Sequence, residues 1–543
     1  MIVWFLTLAG LILRFWHIGQ GLPKIFYSDE GRYVYLALNM GGGDLNPHHF
    51  FHPNLYYYLC FFGDVLYILG GLAAGIFKVP SDAWELYQRD PTVFYIIGRS
   101  VSALLGTLTI PLTYLIGKKV FDQKVGIVSA FFLTFSFLHV QFSQIGNMDV
   151  PLTFFITLTF LFAWLALETG KLRYFILCGL VGGLAGSTKH QGFETLLWGP
   201  VACFFLSLKE RKNFISELFG KRCFLFFLFF VIGFTLGTPY WLLDFQKFKS
   251  DVLFHWFHYK THGEGQLGYE GDWNWFYYLS TPLAYGLGLP LEIAGILGLL
   301  FLLARPNPRN IFFVSFPLAY FLIAGFSKIR TSRYMIPLVP FFCLAAAALL
   351  IAVIARLIPE RNKQRFILVL AALVLIFPSL LSSFRYAHLR TTADTRYLAA
   401  EWIDKEISPK DSVLYTNYSF LRNFKGSLQL APLDAMIFDT QFNNRSSLKT
   451  AEAYRKEGFD YVVLDEWHKA MVLQGGARDP RYKETVQRYQ DFLKELEGEG
   501  KLVATFSPYN GQSAAPDLEN VEIPSRSLRK TKNTGPAIWV YKL

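Results

Sequence analysis

Residues 366–384 read FILVLAALVLIFPSLLSSF, without a single ionisable side chain, and residues 385–406 continue RYAHLRTTADTRYLAAEWIDKE. The first stretch has the length and apolarity a helix needs to cross a bilayer. The second is ordinary soluble sequence. The contrast holds on either side: residues 1–384 carry 49 of the 93 Asp, Glu, Lys and Arg, about 13% of that stretch, and residues 385–543 carry 44, about 28%. A chain that is 52% hydrophobic and 17% charged is too apolar for a soluble enzyme of 543 residues. The expected fold is a polytopic α-helical membrane protein, residues 1–384, with a C-terminal soluble α/β domain, residues 385–543. Most of the net charge of +11 lies in the membrane part. Positive cytoplasmic loops account for it without nucleic acid.

Long apolar runs fall near residues 1–19, 94–117, 125–142, 150–167, 174–188, 192–207, 223–243, 276–303, 311–326, 334–355 and 366–384, so about 11 transmembrane helices are expected. The first run has no basic segment before it and no small-residue cleavage site after it, and reads as a retained span. Loops 118–124, 168–173, 208–222, 304–310 and 356–365 carry 16 Lys or Arg and are assigned to the cytoplasm. That places the large first loop, residues 20–93, and the C-terminal domain outside, in a plasma or inner membrane. Leu55–Phe77 is long enough to span, but Gly70, Gly71, Gly75 and Asp64 favour a re-entrant or in-plane helix. All five cysteines precede residue 384 in apolar surroundings, so the tail has no disulfide and no zinc-ligand spacing exists. Within the tail, helical patterns at Thr395–Ile407, Ser447–Glu457 and Tyr482–Leu496 alternate with strand patterns at Ser412–Tyr415, Tyr461–Leu464, Leu502–Phe506 and Ala537–Tyr541.

Ionisable groups at membrane depth are costly unless used, so their positions point to chemistry. They cluster on one side. Tyr27-Ser28-Asp29-Glu30 follows the first span, then His48, His49 and His52-Pro53-Asn54; Asp149 opens the fourth span; Lys189-His190 breaks two spans; Lys328, Arg330 and Arg333 lie in an outer loop. One carboxylate base with several cations suits sugar transfer from a lipid-linked phosphate to a hydroxyl or amine. The leaving phosphate needs cationic stabilisation and little acid help. A hydrolase would instead require two carboxylates flanking the glycosidic bond.

The order of Asp29-Glu30, His52-Pro53, Asp149, Lys189-His190 and Arg333-Tyr334-x-x-Pro337 resembles the polytopic glycosyltransferases of the GT-C fold, in particular the protein O-mannosyltransferase and lipid A aminoarabinose transferase group. The similarity covers roughly residues 5–355. It implies inverting transfer from a polyprenyl-phosphate sugar to a lipid, glycan or protein acceptor at the outer face. It further implies a catalytic set of Asp29, the base, its neighbour Glu30 and the second acidic position Asp149, and substrate or donor-phosphate binding by His52, Lys189, His190, Arg330, Arg333 and Tyr334. Asn54 stands where many members of the group have a second proline.

Each signal has a plainer reading. Asp29-Glu30 suits any helix start, and Asp149 a cap before Pro151. Lys189 and His190 can snorkel from a helix end, and Arg330 and Arg333 can hold lipid headgroups. Arg14 and Arg99 read as snorkelling or paired residues. The run His255–His262 reads as an interfacial aromatic helix before a metal site, and Gly41-Gly42-Gly43 lacks the flanks of a nucleotide loop. No cofactor is required, while Asp29, His52 and Asp149 leave a divalent metal open. The rival functions are a lipid-linked sugar translocase, which predicts charges on both leaflets, and a noncatalytic membrane scaffold.

Overall fold

The computed structural model describes residues 1–260, 273–327, 329–416, 429–432, 448–475, 483–511 and 528–543. Apolar runs become helices because a chain in lipid must satisfy its amides internally. The chain opens with α1 (Ile2–Phe15), and a long loop then carries α2 (Ser28–Asn39), α3 (Leu55–Ala73) and α4 (Asp82–Arg89). Next come α5 (Thr92–Val120), α6 (Gln123–Phe135), α7 (Phe137–Ser143), α8 (Asp149–Thr169) and α9 (Leu172–Thr188). A 3-10 turn, His190–Leu197, leads into α10 (Trp198–Glu210), α11 (Phe214–Leu218) and α12 (Lys221–Gly237). Helices over Trp275–Leu287, Leu289–Leu303, Pro308–Phe326, Ser332–Leu357 and Arg361–Leu389 complete the membrane part.

Among the described residues, 7 helices are long and apolar enough to cross a membrane, or 9 if each of two bent pairs is one span. The expectation of about 11 is therefore corrected. Apolar run length and helix length are different quantities: the first run yields only the 14 residues of α1, and the run at 174–188 yields the 17 of α9. The run at 192–207 splits into the 3-10 turn and the 13-residue α10. In the other direction, α3 reaches span length with 19 residues. Its Asp64 is buried at 2% exposure and neither carboxylate oxygen has a hydrogen-bond partner.

Both bends have local causes. Between α6 and α7 the axis turns by 57° at Ser136. The carbonyls freed there accept from the fully buried Arg14, whose Nη2 lies 3.2 Å from Leu133 O and Nη1 3.4 Å from Thr134 O. A cation thus caps a helix C-terminus inside the bundle. At Gly288 the turn is 118° and φ is +79°, a conformation that favours glycine, with Pro378 Cβ 3.0 Å from where a Cβ would stand. Elsewhere small residues set helix contacts. Gly179 and Gly183 of α9 meet the backbone of α12 so closely that a Cβ on Gly183 would fall 2.1 Å from Phe230 O.

The C-terminal part is a β-containing soluble domain. Strands β1 (Ser412–Tyr415), β2 (Gln429–Pro432), β3 (Tyr461–Asp465), β4 (Lys501–Phe506) and β5 (Ile538–Lys542) form one sheet in the order β2-β1-β3-β5-β4. The β1 pairings to β2 and β3 are parallel; β5 runs antiparallel to β3 and β4. Alternation divides β3 between two cores. Val462 and Leu464 pack with Tyr489, Phe492 and Leu496 of the helix Lys483–Glu499. Tyr461 and Val463 pack with Ala399 and Ile403 of the helix Thr395–Glu406. Strand β2 has no counterpart in the sequence reading, and the helix expected over Ser447–Glu457 occupies Ala451–Lys456, with Ser447 outside the described residues.

The glycine contact gives a first test. Gly183→Val forces α9 and α12 apart, and chemical unfolding in mixed micelles is expected to show a loss of ~1–3 kcal/mol.

Candidate active site

The site begins at the N-terminus of α2, where Asp29 and Glu30 occupy the first turn. Neighbouring side chains on a helix diverge, and these two go to different places. Glu30, 1% exposed, forms a fork with Arg99 of α5, Nε to Oε1 and Nη2 to Oε2 both at 2.8 Å, and accepts from the Gly146 amide at 2.6 Å. Arg99 Nη1 also donates to the carbonyls of Ile18 at 2.7 Å and Gln20 at 2.8 Å. Arg99 is thus paired, and Glu30 is consumed in holding α2, α5 and the approach to α8 together.

Asp29 faces the other way. Its Oδ2 accepts from Arg333 Nη1 at 2.7 Å, and the same nitrogen donates to Tyr27 OH at 2.6 Å. Arg333 lies in the 3-10 turn Ser332–Leu338, which contains Pro337. Arg333 Nε is 3.9 Å from Asp149 Oδ2, and Asp149 Oδ1 accepts from Lys189 Nζ at 2.6 Å. Lys189 stands at the C-terminal end of α9 with its ammonium 4.9 Å from the Tyr334 ring centroid. Asp29, Arg333, Asp149 and Lys189 therefore alternate in sign along one line. Asp149 and Lys189 are buried, at 3% and 4% side-chain exposure, whereas Asp29 keeps 31% and opens outward.

Arg330, three residues before Arg333, has its guanidinium 4.4 Å from the Tyr277 ring centroid, and the Tyr277 hydroxyl is 3.5 Å from Ser332 Oγ, beside Arg333 in the chain. His190 and His52 form a separate group with His255. His190 Nε2 lies 3.1 Å from Phe51 O, and the His255 ring is 4.3 Å from His190 and 5.7 Å from His52. Asn54 fixes this loop by donating from Nδ2 to His49 O at 2.9 Å, the restraint a second proline would otherwise supply. The side chains of His258 and His262, and Lys328, lie outside the described residues. Among the described residues no three of His, Cys, Asp and Glu come together as metal ligands, and Asp29, His52 and Asp149 do not form such a set.

The electrostatics follow from these contacts. Burial pushes the Asp29 carboxyl up, and Arg333, with Lys189 and Arg32 behind it, more than reverses this, so it is held below the ordinary carboxylate value. Burial, reinforced by Lys189, His255, His190 and Arg333, pushes the His52 imidazole well below its usual value and keeps it neutral. Tyr277 and Glu194 escaped the sequence reading. Tyr277 sits inside an apolar run where nothing in the pattern singles it out, whereas Glu194, whose Oε2 is buried without a hydrogen-bond partner, is an ionisable group inside an apolar run, and that signal could have found it.

Removing Arg333 leaves burial as the larger influence on Asp29. In Arg333→Gln the Asp29 carboxyl is expected to titrate at higher pH than in the native protein. The pH dependence of carbodiimide labelling at Asp29 reads this directly, and an unmoved or lowered midpoint would contradict the pairing.

Residues 96–236 match the family model described as dolichyl-phosphate-mannose-protein mannosyltransferase. An uncharacterized protein from Aquifex aeolicus (strain VF5) is 26% identical over 296 residues, 51% of this chain and 56% of that protein, so the match spans little more than half of the relative. Two solved structures align along nearly the whole chain. The archaeal oligosaccharyltransferase AglB from Archaeoglobus fulgidus, solved with an inhibitory peptide and a dolichol-phosphate, gives a TM-score of 0.55 at 12% identity, covering 100% of this chain and 88% of that one. ArnT from Cupriavidus metallidurans bound to undecaprenyl phosphate gives 0.50 at 13% identity, covering 99% and 97%. These alignments show that the chain has the GT-C fold.

Proposed function

We propose that the chain is an inverting glycosyltransferase that moves a sugar from a polyprenyl-phosphate donor to a hydroxyl or amine of a lipid, glycan or protein acceptor. The observation that carries this reading is the line Asp29–Arg333–Asp149–Lys189, with its one partly exposed carboxylate at the end. The GT-C fold supports it. So do the lipid phosphates bound by AglB, a dolichol-phosphate, and by ArnT, undecaprenyl phosphate.

Asp29 is the base. It is ionised at neutral pH and accessible, so it accepts the acceptor's proton as the acceptor oxygen or nitrogen bonds to the anomeric carbon. The bond from that carbon to the phosphate oxygen breaks, and the electron pair leaves with the polyprenyl phosphate. Attack from the face opposite the phosphate inverts the centre. Arg333, Arg330 and Lys189 stabilise the leaving phosphate, the arginines through planar forks and Lys189 as a compact charge. Asp149, buried and paired, holds Lys189 and Arg333 in place instead of meeting the acceptor. Tyr334 supports Lys189 through its ring face, and His52 and His190 line the wall as neutral groups. Glu30 acts by positioning α2. The division into a membrane domain, 1–384, and an outer tail, 385–543, belongs to the same reading, with site and tail outside the membrane.

Transfer of radiolabelled sugar from polyprenyl-phosphate donors by the purified protein in lipid tests the chemistry. Asp29→Asn is expected to lose ~10²–10⁴ in rate, and undiminished transfer by a stably folded variant would sink the assignment. Orientation is tested separately. The five native cysteines are buried, so a cysteine replacing the exposed Lys501 is expected to react with an impermeant maleimide from outside intact cells. Labelling only after lysis would reverse the topology.

A further inference from the structure

Between the end of α1 at Phe15 and the start of α2 at Ser28, the chain runs through turns and extended backbone. This segment delivers Tyr27 and Asp29, so whatever holds it sets where the base stands. The membrane part grips it through the two Arg99 contacts to Ile18 and Gln20 and through Arg333 on Tyr27. The tail grips it as well. Arg390 Nη2 donates to His17 O at 3.0 Å, Tyr397 OH donates to Gly21 O at 2.9 Å, and Gln20 Nε2 donates to Thr534 Oγ1 at 3.0 Å.

Of the tail's contacts, the one closest in sequence to the base is made by Arg396 on Phe26. Its guanidinium lies 3.8 Å from the ring centroid of Phe26 and 5.2 Å from that of Trp467, so it bridges the first loop and the tail. The Tyr397 ring closes on Phe26 edge-on at 5.5 Å. Arg396 does not choose its own direction. Asp394 holds it through a fork, Oδ1 to Nε at 2.7 Å and Oδ2 to Nη2 at 2.8 Å, and also accepts from the Arg396 amide at 3.0 Å as the cap of the tail's first helix. Gly535, at φ +93°, makes room for this arrangement: a Cβ there would fall 2.5 Å from Asp394 Oδ1. Arg396 is 4% exposed and Trp467 8%. A planar cation held edge-on by a carboxylate and stacked on an aromatic face is a directional joint that a lysine cannot reproduce.

We propose that Arg396 is a positioning residue for Asp29. The tail, through the Asp394–Arg396 fork stacked on Phe26, clamps the segment that carries the base, so the soluble domain acts on the reaction through backbone placement. The inference rests on Asp29 being the base. Displacement of a reacting group by about 1 Å costs on the order of 100-fold in rate, so a loosened clamp lowers turnover while leaving donor binding to Arg333, Arg330 and Lys189.

The test uses the full chain in lipid with Arg396→Lys, and Phe26→Leu as a second variant that disturbs the joint from the other side and leaves the tail's own sequence intact. Hydrogen exchange of the amides of residues 18–30 reads the clamp without reference to activity, and transfer kinetics read its consequence. In both variants we expect faster exchange across residues 22–29, unchanged exchange in β1 and β3, kcat reduced roughly tenfold or more, and a donor KM within about twofold. Unchanged exchange in residues 22–29 overturns the clamp whatever the activity. Faster exchange with native kcat overturns the positioning role. Absence of transfer by the native protein itself overturns the glycosyltransferase reading, and the exchange result still decides the clamp.

Discussion

Glu30 and Arg99 form the contact on which the arrangement of the site depends. Both are almost fully buried, and a buried ion pair is tolerable only when its geometry is good and its remaining donors and acceptors are met. Here they are: the fork uses both carboxylate oxygens, the Gly146 amide takes one of them again, and Arg99 turns its other nitrogen to two loop carbonyls. Four pieces of chain far apart in sequence thereby share one charge pair. They are the segment after α1, the first turn of α2, the N-terminal third of α5 and the turn before α8. Since Glu30 points inward, Asp29 must point away, and since Gly146 is pinned, Asp149 three residues later opens α8 at a fixed place. Loss of either partner strands a buried charge, at ~3–5 kcal/mol.

The second constraint is neutralisation of the site itself. Asp149 and Lys189 are each buried, and each is tolerable because the other is 2.6 Å away. Arg333 extends the alternation to Asp29, where solvent begins. The order of charges explains a division of labour between two carboxylates that look alike in sequence. Asp149 is enclosed among cations, which suits the structural part it has in the proposed mechanism, and Asp29 lies at the open end, which suits the base. The order of charges also adds to the burial that keeps the His52 imidazole neutral, since a further positive charge there would stand beside Lys189 and Arg333.

The membrane helices serve this geometry by being interrupted. At Ser136 and at Gly288 the chain bends, and at His190–Leu197 and Ser332–Leu338 it tightens into 3-10 turns. Two of these four interruptions carry site residues at their starts, Lys189 beside one and Arg333 within the other. An unbroken helix buries its backbone groups and points its side chains radially, whereas a broken one brings several side chains to one level of the bundle. Arg14 shows the cost of such a break being met inside the fold, by a guanidinium placed on the two carbonyls the bend sets free.

Much of this was legible in one dimension. Apolar runs and the rise in charge after residue 384 reveal a helical membrane part and a soluble tail, because bilayer thickness and hydration act on local sequence. Ionisable residues in or beside apolar segments marked Asp29, Asp149, Lys189 and Arg333, since such groups are costly at membrane depth unless they are used. Helix count was less legible, because the length of an apolar run does not say where a helix starts or stops inside it. Strand β2 was not legible either, its four residues depending on β1 for their partners. The separate fates of Asp29 and Glu30, the pairing of Arg99 across 69 residues and of Arg333 across 304, and the stacking of Arg396 on Phe26 were decided by tertiary structure alone. Which groups are costly to bury is a property of each residue and its neighbours in sequence. Which opposite charge compensates each one depends on distances that exist only once the helices have packed.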